Sequence, residues 1–398
     1  MYFFIASNPT LLQLVFYYLT LISFFLAFIF SWLLIPQIRD IAFQKKLFDE
    51  PNHRKLHTFA IPRLGGISFF PVILFTLLFC LSIAYQLEFD LLGKNSSVIL
   101  PEFLMLTCGT VILYLMGIQD DLVGVRYHAK FILQSVVALF IPLSGLWINN
   151  LHGLLGIYDL SPWIGIPLTL FLIVFIINAI NLIDGIDGLA SGLCSIAFIT
   201  LGVFFLIAKA WIFAMLAFIS FGVLLSFFYY NVFGQPGKRK IFMGDTGSLT
   251  LGYILAFLII RFSAVNPEVL PVAKGAIAIA FSLLLVPSLD VCRVILVRVR
   301  ERKHLFTADQ NHIHHKFLLM KFSQREALVR ILIMAVLFCI FNILLVQYIN
   351  VTFIFLIDVA VWIGLHLWFN SIMAKRNAVV LQQDTDLVES MHTFSEKY

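Results

Sequence analysis

The stretch LLQLVFYYLTLISFFLAFIFSWLLI, Leu11–Ile35, runs for 25 residues without a charged side chain. At 1.5 Å of rise per residue, a helix over it is about 37 Å long. That is enough to cross a hydrocarbon core of roughly 30 Å with some tilt. No basic residue precedes the run between Met1 and Thr10, and it is too long for the apolar segment of a secretory signal. Arg39, Lys45 and Lys46 follow it. It is therefore expected to stay in place as a first transmembrane helix.

The rest of the chain repeats the pattern. Of 398 residues, 61% are hydrophobic and 12% charged, about half the charge of a soluble domain, and the mean hydropathy is +0.97. The apolar runs extend to 18–25 residues and include many of the 42 phenylalanines. A membrane β-barrel would instead show alternating segments of about 10 residues. Soluble globular, disordered and fibrous classes are excluded, and the chain reads as an all-α, polytopic membrane helical bundle. The five cysteines all lie in apolar runs without a C-x-x-C pair, as small packing residues do.

Polar breaks divide the chain into eleven expected spans, near 11–35, 65–85, 98–118, 129–148, 163–180, 189–208, 211–232, 248–262, 271–297, 328–348 and 350–372. Residues 1–376 thus form one integral-membrane domain, and 377–398 a short polar tail expected to fray. Taking the linkers alternately, one set holds 36–64, 119–128, 181–188, 233–247, 298–327 and the tail. Of 27 Lys and Arg, only Lys94, Lys209, Arg261 and Lys274 fall with the other set. Cytoplasmic loops carry the basic excess, so the N-terminus is expected outside and the C-terminus in the cytoplasm.

Nearly all the clustered polar chemistry falls on the basic side. Asp120-Asp121 closes the third span. Two adjacent carboxylates at a membrane end need a cation or a shared proton, and a hard ion such as Mg²⁺ takes oxygen ligands; plain hydration at the interface is the alternative. Asn178-Ala-Ile-Asn-Leu-Ile-Asp-Gly-Ile-Asp-Gly188 spaces Asn178, Asn181, Asp184 and Asp187 three apart, on one side of any helical turn. A polar hairpin with Asn and Asp as turn residues reads equally from this stretch. Phe242-Met-Gly-Asp-Thr-Gly-Ser-Leu249 follows Lys238-Arg-Lys240. Asp245, Thr246 and Ser248 offer oxygens and caps for a following helix, whose N–H groups would favour phosphate.

Two further segments are basic. Asp309-Gln-Asn-His-Ile-His-His-Lys316 carries three histidines in four residues but no H-E-x-x-H pattern. Imidazoles facing phosphate oxygens suit it better than zinc, and a basic loop drawn to anionic headgroups is the alternative. Arg54, Lys55, His57 and Arg63 in the first basic loop, and Lys130 beyond the acid pair, are donors of the kind phosphate needs; positive-inside signalling alone also accounts for them. Acids suited to a hard metal and cations suited to phosphate converge on one face, which points to a Mg²⁺-bound diphosphate next to lipid.

In this order, Asp120-Asp121, Asn178 to Ala190, Phe-Met-Gly-Asp245-Thr-Gly-Ser and His312-Ile-His-His315 resemble the motifs of the polyprenyl-phosphate N-acetylhexosamine-1-phosphate transferases. The likeness runs from about Arg54 to Lys316 and is closest to the UDP-GlcNAc-using branch. It implies transfer of a sugar 1-phosphate from a UDP-N-acetylhexosamine to undecaprenyl phosphate, with release of UMP, in a bacterial inner membrane with the site facing the cytoplasm. By match to the family's positions, Asp245 and Asn181 are the metal ligands for Mg²⁺, with Mn²⁺ as a substitute. Asp120, Asp121, Asp184 and Asp187 are the catalytic acids, either through direct attack of the lipid phosphate or through a covalent aspartyl intermediate. Arg54, Lys55, His57, Lys130, Asn178, Asn231, His312, His314 and His315 are the substrate contacts. The resemblance implies no nucleic acid and is compatible with a homodimer. The muramoyl-pentapeptide transferase is the sister alternative. An ion-coupled transporter would hold its acids nearer the bilayer midplane, and a non-catalytic scaffold leaves the motifs without a use.

Overall fold

The computed structural model describes residues 9–49, 61–235, 238–270, 274–303 and 311–395. Its helices are α1 (Pro9–Gln44), α2 (Phe69–Gln86), α3 (Ser96–Val123), α4 (Tyr127–Ala138), α5 (Phe140–Leu143), α6 (Pro162–Ile183) and α7 (Leu189–Ile207). They continue with α8 (Trp211–Val232), α9 (Gly244–Ser263), α10 (Ala276–Arg300), α11 (Ile313–Leu319), α12 (Gln324–Leu345) and α13 (Val351–Ser395). Two small antiparallel hairpins complete it, β1 (Phe48–Asp49) with β2 (Ile61–Pro62) and β3 (Asn150–Leu154) with β4 (Ile157–Asp159).

The organising element is α9, whose most apolar window is 100% buried; the corresponding windows of α1 and α13 are 28% buried. A helix that is apolar on all sides belongs inside, and α9 packs against α3 and α6 along its length. At its lower end Asp245 meets residues from α3, α4 and α6. At its far end Arg261 pairs with Glu102 of α3 at 3.0 Å, each 1% exposed. The Asn149 side chain there both donates to and accepts from Val265, at 2.8 Å each. These contacts fix the register of the helices that carry the acid motifs.

Ten helices among the described residues are long and apolar enough to cross a membrane, one fewer than the expected spans. The difference lies at 129–148, where the helical part is a shorter apolar stretch, Tyr127–Leu143. Lys130 nevertheless touches Asp245 at the start of α9, and Asn149 pairs with Val265 beyond its end. The chain between them therefore runs the length of α9, about 30 Å for 20 residues, finishing in non-helical backbone. Buried by its neighbours, such backbone is tolerated at membrane depth. The expected fraying after Arg376 is also corrected, since α13 continues helical to Ser395. No Pro or Gly lies between Leu365 and Ser395 to stop it.

Candidate active site

The last turn of α3, the start of α4, the end of α6 and the first turn of α9 meet at one end of the bundle. Lys130 Nζ lies 2.5 Å from Asp120 Oδ2 and 2.8 Å from Asp245 Oδ1, bridging carboxylates from two helices. The Asn181 amide donates to Asp245 and, at 2.8 Å, to Ser248 Oγ. The other oxygen of Asp120 accepts the Val125 N–H at 2.7 Å, which closes the turn after α3 and aims α4 back at the site. Without the lysine, the two acids would face each other in a poorly hydrated cleft, where like charge is costly.

Asp121 has a different task. Its Oδ1 accepts the Asp245 N–H at 2.7 Å, and its Oδ2 accepts the Thr246 N–H at 2.9 Å and the Thr246 hydroxyl at 2.6 Å. It caps α9 from another helix, and no side chain of the Phe242–Leu249 stretch caps it locally. This corrects two expectations, because those residues do not supply the cap and two leading N–H groups of α9 are not left for phosphate. The negative charge sits where the helix dipole favours it. The approach demands glycine at Gly244, whose φ is +72° and whose Cβ would lie 2.6 Å from Asp121 Oδ2. Gly117 of α3 likewise lets Thr246 come close, since a Cβ there would meet its Cα at 2.4 Å.

The stretch from Asn178 to Gly188 does not present its four polar side chains as one row. Only Asn181 reaches Asp245. Asn178 donates to Gln134 Oε1 at 2.6 Å and to the Val174 carbonyl at 2.8 Å. Asp184 and Asp187 lie beyond the end of α6 in a turn that Gly188 completes at φ +78°. Asp187 pairs with Lys240. The Asp184 residue is exposed, yet protein packed around it strips hydration from the carboxyl. With the charges of Asp245, Asp187 and Asp121, and against Arg63, this pushes it up to about 7. Asn231 is a brace, accepting the Gly188 N–H at 2.6 Å and donating to the Ile241 carbonyl at 2.9 Å.

The histidine segment backs onto the same turn. A Cβ on Gly185 would lie 2.3 Å from His314 Nε2, so that imidazole rests on the acid loop. Burial, then the neighbouring His315 and His312, push His314 down to about 3, which keeps it neutral. The His315 ring lies 4.2 Å from that of His314. His312 Nδ1 lies 2.8 Å from Asp290 Oδ2 of α10. Arg54, Lys55, His57 and Asp309 lie outside the described residues.

Three participants were not singled out from sequence: Asp290, Arg293 and the pairing of Lys240. The first two left a signal, because an acid and a base stand three residues apart inside an otherwise apolar span, and ionisable residues in such places are seldom idle. Lys240 is visible only as one of a basic run.

Among the described residues, no three His, Cys, Asp or Glu side chains are grouped so as to enclose a metal ion. The oxygen chemistry of Asp245 and Asn181 beside Asp120 suits the other way Mg²⁺ is held, by one or two carboxylates with substrate phosphates and waters.

Fold and site define a multi-pass membrane protein with a lysine-bridged carboxylate site at one end of its helices. Residues 103–263 match glycosyl transferase family 4. Over 328 residues the chain is 31% identical to the probable undecaprenyl-phosphate N-acetylglucosaminyl 1-phosphate transferase of Bacillus subtilis (strain 168), covering 81% of this chain and 84% of that protein. The chain belongs to this family. It is also similar to the undecaprenyl-phosphate alpha-N-acetylglucosaminyl 1-phosphate transferases of Salmonella typhi and Escherichia coli (strain K12). The first is 32% identical over 317 residues, 77% of this chain and 79% of that one. The second is 30% identical over 319 residues, 78% and 79% of the two chains.

Proposed function

We propose that the protein transfers N-acetylglucosamine 1-phosphate from UDP-N-acetylglucosamine to undecaprenyl phosphate, releasing UMP and forming a lipid-linked diphosphate sugar for cell-envelope polysaccharide. The reading is carried by Lys130 bridging Asp120 and Asp245 at the shared end of α3, α4 and α9. The names of the relatives supply the substrates. The site faces the cytoplasm of a bacterial inner membrane, where the nucleotide sugar is made and where the basic loops lie.

An oxygen of the lipid phosphate bonds to the sugar-bearing phosphorus as that phosphorus releases the oxygen bridging it to the nucleotide, which leaves with UMP. Such transfer needs positioning and charge stabilisation more than covalent help from protein. A phosphate monoester has its second pKa near 6, so its dianion is abundant at pH 7 and a strong base is dispensable. Asp120 orients the lipid phosphate, Lys130 turns its charge from the carboxylates to the incoming phosphates, and Asp121 keeps α9 in register. Asp245 and Asn181 would hold Mg²⁺, which draws negative charge off the diphosphate. Arg54, Lys55, His57 and the three histidines supply the remaining cations and donors, while Asn178 and Asn231 steady the helices behind them.

The test is UMP release by purified protein given undecaprenyl phosphate, Mg²⁺ and a panel of UDP-sugars. Release with UDP-N-acetylglucosamine, lost on chelation and in Asp245→Ala, is expected. Release with the muramoyl-pentapeptide nucleotide alone would move the protein to the sister reaction, and none with any donor would sink the assignment.

A further inference from the structure

Asp290 lies inside α10, is 0% exposed, and belongs to none of the family-like motifs. Its Oδ1 accepts from Arg293 Nη2 at 2.8 Å and from the Ile313 N–H at 3.0 Å; its Oδ2 faces His312 Nδ1 at 2.8 Å. Arg293 also donates to the Asn311 carbonyl, so α10 grips the chain on both sides of His312. A carboxylate held by a guanidinium and a peptide N–H has no proton to give, so the proton between Asp290 and His312 resides on Nδ1. Among the described residues, Nε2 of His312 makes no hydrogen bond. The His312 ring stands parallel to His314, at 5.8 Å and 4°, and His314 rests on Gly185 beside Asp184. The carboxylate in α10 thus orients an imidazole pair seated on the acid turn.

We propose that Asp290 is a positioning residue for His312, fixing its Nδ1–H tautomer so that Nε2 is the atom presented to the substrate's diphosphate. Nε2, protonated from solvent, donates to a phosphate oxygen, and Asp290 balances the imidazolium that results. The inference takes its substrate from the proposed sugar-phosphate transfer, whereas the Asp290–His312 pair itself stands on the geometry alone.

Two measurements test it. The first is ¹⁵N solid-state NMR of the histidine-labelled full chain in bilayers, with His312→Gln identifying the signal. Nδ1 of His312 is expected to carry a proton, and a bare Nδ1 with the proton on Nε2 overturns the proposal. The second is the rate of UMP release by Asp290→Asn. By analogy with the outer-shell partners of metal-bound histidines, whose loss costs roughly 10- to 100-fold, kcat/KM should fall by that much while His312 loses its single tautomer. Unchanged kcat/KM in a folded Asp290→Asn protein also overturns it. If that variant does not fold, the wild-type tautomer decides. If the wild type releases no UMP from any UDP-sugar, the assigned reaction fails while the tautomer still settles the pair.

Discussion

Lys130 stands between two carboxylates, and the site's charge balance depends on it. Its side chain is 18% exposed, against 10% for Asp120 and 26% for Asp245. Lys130→Met leaves the acids facing each other and removes a cation from the phosphates. UMP release should fall on the order of 100-fold, the usual effect of losing one charge-stabilising donor. The thermal midpoint in detergent should drop by less than the 3–5 kcal/mol of a fully buried pair would cause, since water reaches these groups. Asp184 gives a pH signature. Its folded carboxyl lies near 7, above its ordinary 3.8, so between about 4 and 7 the folded protein binds more protons than the unfolded chain. Stability attached to this group is therefore lost as pH rises through that window. The thermal midpoint of Asp184→Asn should fall less than that of the wild type between pH 4 and 7, and equal slopes would show that Asp184 titrates normally. The motifs made these residues legible by type. Their division of labour was not, because nothing in Asp120-Asp121 says that one neighbour faces a lysine and the other a helix end 124 residues away.

At the scale of elements, the junction of α3 with α9 is the joint on which the site depends. Asp121 satisfies two N–H groups and a hydroxyl of α9 from a different helix. Asp121→Asn keeps the shape but loses the charge and part of the acceptor set. An N-cap is worth about 1 kcal/mol and its interaction with the dipole a similar amount when partly buried. Thermal unfolding should report a destabilisation of about 1–2 kcal/mol, with activity falling further because Asp245 is displaced. Gly117→Ala tests the same joint by crowding, since its Cβ would overlap Thr246 Cα, and overpacking of this kind costs about 1–3 kcal/mol. A Gly117→Ala protein with wild-type melting and activity would show that the two helices have slack. Long apolar runs made the other helices easy to read. The stretch after Lys130 read as a span like the rest, but its form did not show: its helical part stops at Leu143 and the remaining distance is covered by non-helical backbone. The cap on α9 was invisible because capping rules look three residues along the chain, and this cap comes through space.

For the whole molecule the open quantity is sidedness, for which geometry and charge make one prediction. Counting the short crossing with the ten long helices would give eleven passages and put the two ends of the described chain on opposite sides. The site-bearing ends of α3, α6 and α9 share a side with the end of α10, where Arg298 and Arg300 stand in its last turn. Lys and Arg concentrate on that side, and cytoplasmic loops hold the basic excess. The β3–β4 hairpin, joined to the start of α13 through the Leu155 N–H and Thr352 Oγ1 at 2.8 Å, lies at the other end. Cys108 and Cys292 are the exposed cysteines among the described residues and would be replaced first. In that background, Tyr158→Cys on the hairpin should react with a membrane-impermeant maleimide in intact spheroplasts. Glu301→Cys, just beyond α10, should react only after the membrane is permeabilised. The reverse pattern would put the acid cleft outside the cell, away from the nucleotide sugar it is proposed to use, and would remove the assigned reaction along with the topology. Labelling of both positions from outside would mean that one of the five helices between them, α6 to α10, does not cross.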